Sequence, residues 1–352
     1  MNFNSIILIH TYFYKYIYQG WKQVNNLLKF SRYFLIILFF VIFNVLLLTS
    51  LQTPKIISEK IKPKITLICH VYSNPYWQYI KLGAEKAAKQ RNAIIDFEGP
   101  DTASVEEGIK FINSAYAAKV SGIIAYVQDE DRYKPIIDKV ITGGIPIVTV
   151  DSDAENSKRL AYVGTDNVAA GIMGAKEMIR QIGSNGNVGI IMGGESVKNQ
   201  IERVKGFTDY IKSDSKIIIS DIESSDSYLL EAELAAKKIV TKDKDIKAIF
   251  CTSALDGQGA AKALNSMGLN GKVKIVCFDD LPETLDYIKN GVISSTIVQK
   301  PYDMGYKAVN IIMDNLEGKT TTGIFLTDVM VVSKDNLLEY MKGQEDSNNE
   351  NK

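Results

Sequence analysis

Along most of this chain, short apolar runs rich in β-branched residues alternate with stretches whose apolar residues recur at helical spacing. Strands are predicted at 64–71 (KITLICHV), 93–97, 122–127, 145–150, 187–192, 216–220, 246–251, 272–278 and 294–298. Helices are predicted between them, among others at 75–91, 104–119, 167–183, 227–241 and 302–318. Runs without polar alternation belong to strands covered on both faces, so the sheets should be parallel with helices on either side. The units are too many for one sheet of the dinucleotide-binding kind, which points to an α/β protein of two doubly wound parallel-sheet lobes joined by a hinge.

In such folds ligands sit at the carboxyl ends of the strands, so the residues that follow each strand are the candidates. The first strand is followed by Tyr72-Ser73-Asn74-Pro75-Tyr76-Trp77, an amide and two large aromatics opening a helix. Later strands lead to Asp151, to a helix carrying Arg203, to Asp279-Asp280 and to Gln299. Carboxylates, amides and guanidinium groups satisfy vicinal hydroxyls in pairs, while aromatic faces pack on the apolar face of a ring. The set therefore suits a sugar. Each residue alone has a plainer explanation, the aspartates as helix caps and Tyr76-Trp77 as core. Their shared location is what favours a site.

Composition removes several other functions. The 41 basic residues balance 41 acidic ones, which gives no field to hold nucleic acid. Three cysteines (Cys69, Cys251, Cys277) make no disulfide framework, and His10 and His70 are too few and too far apart for most zinc sites or histidine triads. Gly257-Gln258-Gly259 lacks the third glycine of a dinucleotide fingerprint, Lys262 standing there, and reads as a helix start. Asp151-Ser152-Asp153-Ala154-Glu155 resembles the start of a calcium loop, but Asn156 replaces the turn glycine and Tyr162 the bidentate acid. No cofactor or metal is expected, and no enzyme activity.

The N-terminus adds a different signal. Residues 33–51 (YFLIILFFVIFNVLLLTSL) carry no charge, with Asn44 the one amide, and are long enough to span a bilayer. A cleaved signal peptide would need a shorter apolar stretch and a small-residue cleavage site, so an uncleaved transmembrane helix is the expectation. Lys15, Lys22, Lys29 and Arg32 precede it, but Lys55, Lys60, Lys62 and Lys64 follow, and the charge rule is near a tie. Residues 1–32 are expected to form a cytoplasmic leader, whose aromatic part is an interfacial helix, a second short span or an unordered segment. Residues 52–63 read as a linker and 334–352 as a tail, of which 343–352 (GQEDSNNENK) is polar and expected to be disordered.

Several stretches in order, SNPYWQYIKLGAEKAA, GGIPIVTVDSD, YVGTDNVAAG, RVKGF, CFDDLPETLDYIKNG and STIVQKPYDMGYKAV, resemble the type I periplasmic sugar-binding proteins, close to the ribose-binding and related pentose- and hexose-binding members. The resemblance runs from about 64 to 333. It implies a first lobe of 64–165 plus 300–328 and a second of 166–299 plus 329–333, with chain crossings near Thr165, Gln299 to Lys300 and Thr327 to Asp328. It also implies ligand contacts at Asn74, Tyr76, Trp77, Asp151, Arg203, Asp279 and Gln299. The chain departs from ribose-like members where Ser152 replaces an arginine, where Ser253-Ala254 stands for an asparagine followed by an aspartate or similar, and where Tyr126 stands in place of a polar amide. Ser253 and Tyr126 are added to the expected contacts, and D-xylose is preferred over a hexose as ligand. With its anchor, the chain resembles the membrane-tethered xylose-binding sensors of clostridia that partner a LytS-type histidine kinase. That likeness implies a receptor body outside the cell and a kinase partner, the alternative being the substrate-binding component of an ABC sugar importer with a permease as partner.

Overall fold

The computed structural model describes residues 3–51 and 62–350. It divides into two units between Ile61 and Lys62.

The first unit is one helix, α1 (Phe3–Leu51), of 49 residues. At 1.5 Å per residue it is about 70 Å long, more than twice the ~30 Å hydrocarbon core of a bilayer. No proline interrupts it, and the helix runs unbroken through Arg32. The stretch Thr11–Thr49 is long and apolar enough to cross a membrane, and its side chains are exposed to their surroundings. The amide of Asn44 is satisfied inside the helix, donating to the Phe40 carbonyl at 2.7 Å. Of the expected linker, residues 52–61 lie outside the described residues.

The second unit opens with β1 (Lys64–Ile68), α2 (Tyr76–Gln90), β2 (Ile94–Glu98), α3 (Val105–Ala117), β3 (Gly122–Ala125), α4 (Glu130–Thr142), β4 (Ile147–Val150) and β5 (Ala161–Gly164). It continues through α5 (Asn167–Ile182), β6 (Asn185–Met192), α6 (Lys198–Asp214), β7 (Lys216–Ser224), α7 (Leu229–Lys242), β8 (Ile246–Cys251), α8 (Ala254–Ser266), β9 (Lys274–Phe278), α9 (Pro282–Lys289) and β10 (Ser295–Val298). The chain then returns as α10 (Pro301–Leu316) and β11 (Gly323–Leu326), and ends with β12 (Met330–Ser333) and α11 (Leu337–Glu350).

Two six-stranded sheets result, in the orders β11-β5-β4-β3-β1-β2 and β12-β10-β9-β8-β6-β7. Each is flanked by apolar clusters on both faces, which is why its strands lack polar alternation. The chain passes between the sheets after β5, after β10 and after β11. Thr327, on the third passage, donates its backbone N–H to the Gly164 carbonyl of the first passage at 2.8 Å. All pairings are parallel except β10 with β12, a departure from the wholly parallel sheets expected. Every other strand runs toward the passages; β12 enters from one and so must run away from it.

The C-terminal segment also differs from expectation. Leu337 and Tyr340 are buried in the second lobe, and α11 continues to Glu350. Asn336 fixes its start, accepting from the Ser333 N–H at 2.8 Å and donating to the Val331 carbonyl at 2.9 Å. Residues 343–350, polar in composition, are the last turns of a helix whose first turn is anchored by apolar residues.

Candidate functional site

The two lobes face each other across a cavity lined by residues of both. All nine residues singled out from the sequence line it: Asn74, Tyr76, Trp77, Tyr126 and Asp151 from the first lobe, Arg203, Ser253, Asp279 and Gln299 from the second or its crossing. His70, Gln200, Ser227, Ala254 and Leu255 line it too and were not among them. Tyr72 and Asp280, flagged beside these positions, do not: Tyr72 packs on Phe97, and Asp280 accepts from Tyr340 of α11.

Glycine pairs set the helices that carry the site. Where α2 crosses α10, a Cβ on Gly83 would lie 1.9 Å from the Tyr302 carbonyl oxygen, and one on Gly305 the same distance from that of Ile80. Where α6 crosses α5, a Cβ on Gly206 would lie 2.1 Å from the Val168 carbonyl oxygen, and one on Gly171 2.2 Å from that of Arg203. Only hydrogen fits at either crossing. The backbones meet, and the helix bearing Tyr76 and Trp77 and the helix bearing Arg203 are each fixed close to the cavity.

The two aspartates occupy matching places. Asp151 follows β4 with φ +65°, and Asp279 follows β9 with φ +67°, both left-handed. Their N–H groups donate to the neighbouring strand, to Val163 at 3.0 Å and to Ile297 at 2.9 Å. A non-glycine residue in this region costs on the order of 1 kcal/mol or more, which the flanking ladders must offset, and such residues concentrate at functional sites.

Asp151 Oδ1 accepts from the Tyr76 hydroxyl at 2.8 Å and Oδ2 from Asn199 Nδ2 at 2.9 Å. Asp279 Oδ1 accepts from Gln299 Nε2 at 2.8 Å. Gln299 Oε1 in turn accepts from Arg203 Nη2 at 2.7 Å and from the Thr165 hydroxyl at 2.8 Å, tying the pocket to the first crossing. Arg203 is almost fully buried. Its Nε donates to Asn167 Oδ1 at 3.0 Å, its Nη1 to the Thr252 carbonyl at 2.8 Å, and its guanidinium lies 4.3 Å above the Phe278 ring.

Two buried acids therefore lie in the field of one buried cation that is hydrogen-bonded to neither. Burial raises both acids above their usual range; Arg203 and the hydrogen bonds oppose the rise, and Asp279 still reaches about 7. The phenols of Tyr76 and Tyr126 are pushed well up by burial and by Asp151, and stay neutral hydroxyls. His70 is held down to about 4 by burial, so its ring is uncharged; it tilts against Tyr126 at 4.6 Å, and its Nε2 is buried without a partner. Trp77 meets Tyr76 and Tyr126 edge to face at 5.8 and 5.3 Å. The cavity thus pairs an aromatic wall with acceptors and a planar donor, an arrangement that binds a neutral polyhydroxy ring.

The rejected motifs have structural explanations. Asp153 is bound by Arg159, whose Nη2 lies 2.6 Å from Oδ2, and by Thr149. Gly257 and Gly259 lie inside α8, where Cβ atoms would strike Cys277 and Ala232 at 2.5 Å.

Residues 65–320 match the family described as periplasmic binding protein domain. The chain belongs to this family. Among curated relatives, the D-allose-binding periplasmic protein of Escherichia coli (strain K12) is 28% identical, covering 70% of this chain and 83% of its own. The ribose import binding protein RbsB of Bacillus subtilis (strain 168) is 26% identical, over 72% and 82%. Among solved structures, the XylFII molecule is 58% identical with a TM-score of 0.75, covering 78% of this chain and 99% of that one. A XylFII-LytSN complex is 57% identical at TM-score 0.76, over 78% and 99%. The protein is therefore a type I periplasmic sugar-binding protein of the ribose/xylose kind, a receptor and not an enzyme. The family is extracytoplasmic, and α1 is a candidate anchor or signal segment for that location.

Proposed function

We propose that this receptor is anchored by α1 with its two lobes outside the cell, binds a monosaccharide in the interlobe cavity, D-xylose first and a hexose second, and signals through a LytS-type histidine kinase in the same membrane. The observation that carries the sugar reading is the cavity itself, where Asp151, Asp279 and Arg203 are buried together against Tyr76, Trp77, Tyr126 and neutral His70. Asn74, Ser253 and Gln299 supply further hydrogen-bonding groups at its wall. The pentose and the kinase are supported by similarity: XylFII is 58% identical, and its complex with LytSN 57%. A long apolar helix suits a receptor that must hand a change of shape to a membrane partner, since closure of the lobes on the sugar shifts a pre-existing equilibrium.

The second reading is the substrate-binding component of a sugar importer, favoured by the ribose import relatives. Calorimetric titration with xylose, ribose, arabinose, glucose and galactose tests the sugar reading, and binding of none of them overturns it. Co-purification of the full chain with a LytS-type kinase or with a permease separates the two roles.

A further inference from the structure

Beside the cavity, the start of α6 reaches from the second lobe to the first through three consecutive residues. Val197 is buried in the apolar cluster of the first lobe that also holds Tyr76 and Trp77. Lys198 Nζ lies 2.9 Å from Glu155 and 3.4 Å from Glu130, both first-lobe residues. Asn199 Nδ2 donates to Asp151 Oδ2 at 2.9 Å, and its own Oδ1 is buried without a partner. The receiving side is built within the first lobe alone. Asn156 holds Glu130 Oε1 with its backbone N–H at 2.7 Å and its side-chain amide at 3.0 Å, which leaves Oε2 facing the lysine. Glu155 precedes Asn156 on the same turn, so the socket carries two carboxylates at fixed places and accepts a cation. The Lys198 bond keeps Glu155 below the usual carboxylate range.

We propose that Val197, Lys198 and Asn199 form an interlobe clasp in which Lys198 and Asn199 act as positioning residues, setting the affinity for sugar without touching it. The clasp rests on the sugar-receptor reading and adds its regulation. Its contacts exist only while the lobes are together, so each one lost lowers the population able to enclose a ligand. The apparent affinity falls by the same factor. Asn199 has a second effect, because it holds from the opposite lobe the carboxylate that faces the cavity.

The test uses the full chain in detergent, with spin labels at exposed positions of the two lobes and titration with D-xylose. Lys198→Gln is expected to weaken binding about threefold and Lys198→Glu about tenfold or more, the latter facing two like charges. Both should widen the interlobe distances of the sugar-free protein, and Lys198→Arg should restore them. Combining Lys198→Glu with Glu130→Lys and Glu155→Lys should recover closure by reversing the pair, which a folding defect would not do. Asn199→Ala is expected to speed sugar release. Unchanged free-state distances in Lys198→Glu, or no recovery on charge reversal, would overturn the clasp. If the unaltered protein binds none of the sugars, the receptor reading fails, while the sugar-free distances still decide the clasp.

Discussion

The two lobes build their halves of the cavity on the same plan and fill them with different chemistry. Each has a left-handed aspartate after an inner strand and a glycine crossing that fixes a site-bearing helix. The first lobe then offers aromatic faces, a neutral imidazole and Asp151; the second offers Arg203, Asp279, Ser253 and, at its crossing, Gln299. The shared frame is a property of the doubly wound fold, and the division of chemistry is what adapts it. A ring that stacks on one lobe can be held loosely until the polar groups of the other meet its hydroxyls.

That division makes graded demands. Removing the cation, Arg203→Ala, leaves two buried acids with only their hydrogen bonds and should weaken sugar binding by about 2–5 kcal/mol, measured by calorimetry. If Trp77→Leu costs as much, the polar lobe does not dominate and the comparison breaks. Next come the crossings. Gly206→Ala and Gly83→Ala each push a methyl into backbone and should lower stability by about 1–3 kcal/mol in denaturant unfolding. Gly206→Ala should also displace Arg203 and reduce affinity in the surviving folded protein, more than Gly83→Ala does. Tyr76→Phe removes the hydroxyl that donates to Asp151 and keeps the ring; a loss of about 1 kcal/mol in affinity is expected, with stacking intact.

A pH slope in stability is also expected. Asp279 titrates near 7 in the folded sugar-free protein against about 3.9 when unfolded, so the folded state holds its proton longer. Its contribution to stability is present below about pH 4 and is lost as pH rises toward 7. Asp279→Asn removes this loss, and its melting temperature relative to the unaltered protein should climb over that range. His70 runs the other way. Held near 4 when folded against about 6.5 unfolded, it contributes stability above pH 6.5 that is lost as pH falls toward 4. A flat difference between Asp279→Asn and the unaltered protein would show that Asp279 is already ionised beside Arg203.

What could be read locally was read with little loss. Strands such as Ile246–Cys251 and Lys274–Phe278 are continuous apolar runs, and the side chains after them fall at the cavity because parallel strands all present their carboxyl ends to one edge. His70 falls inside the first predicted strand, 64–71, where it is considered only for a zinc site or a histidine triad; β1 in fact ends at Ile68, which leaves the imidazole two residues beyond it, at the cavity. Gln200 and Asn199 could not be found from strand ends, because they belong to the first turn of α6, and which of its residues turn toward the first lobe depends on how the helix crosses α5 at Gly171 and Gly206.

The sequence by itself determined the doubly wound α/β class and a helix apolar enough for a membrane, since periodicity and length are local quantities. It also determined which polar groups end the strands. Tertiary structure alone decided the short strands β5, β11 and β12, the last two at sheet edges, whose four residues each carry no pattern of their own and exist through pairing with a neighbour. It alone decided that β12 runs antiparallel, because that follows from where the chain re-enters the sheet. It also decided that two acids far apart in sequence lie in the field of one guanidinium, since their charge states depend on burial and on Arg203 across the cleft.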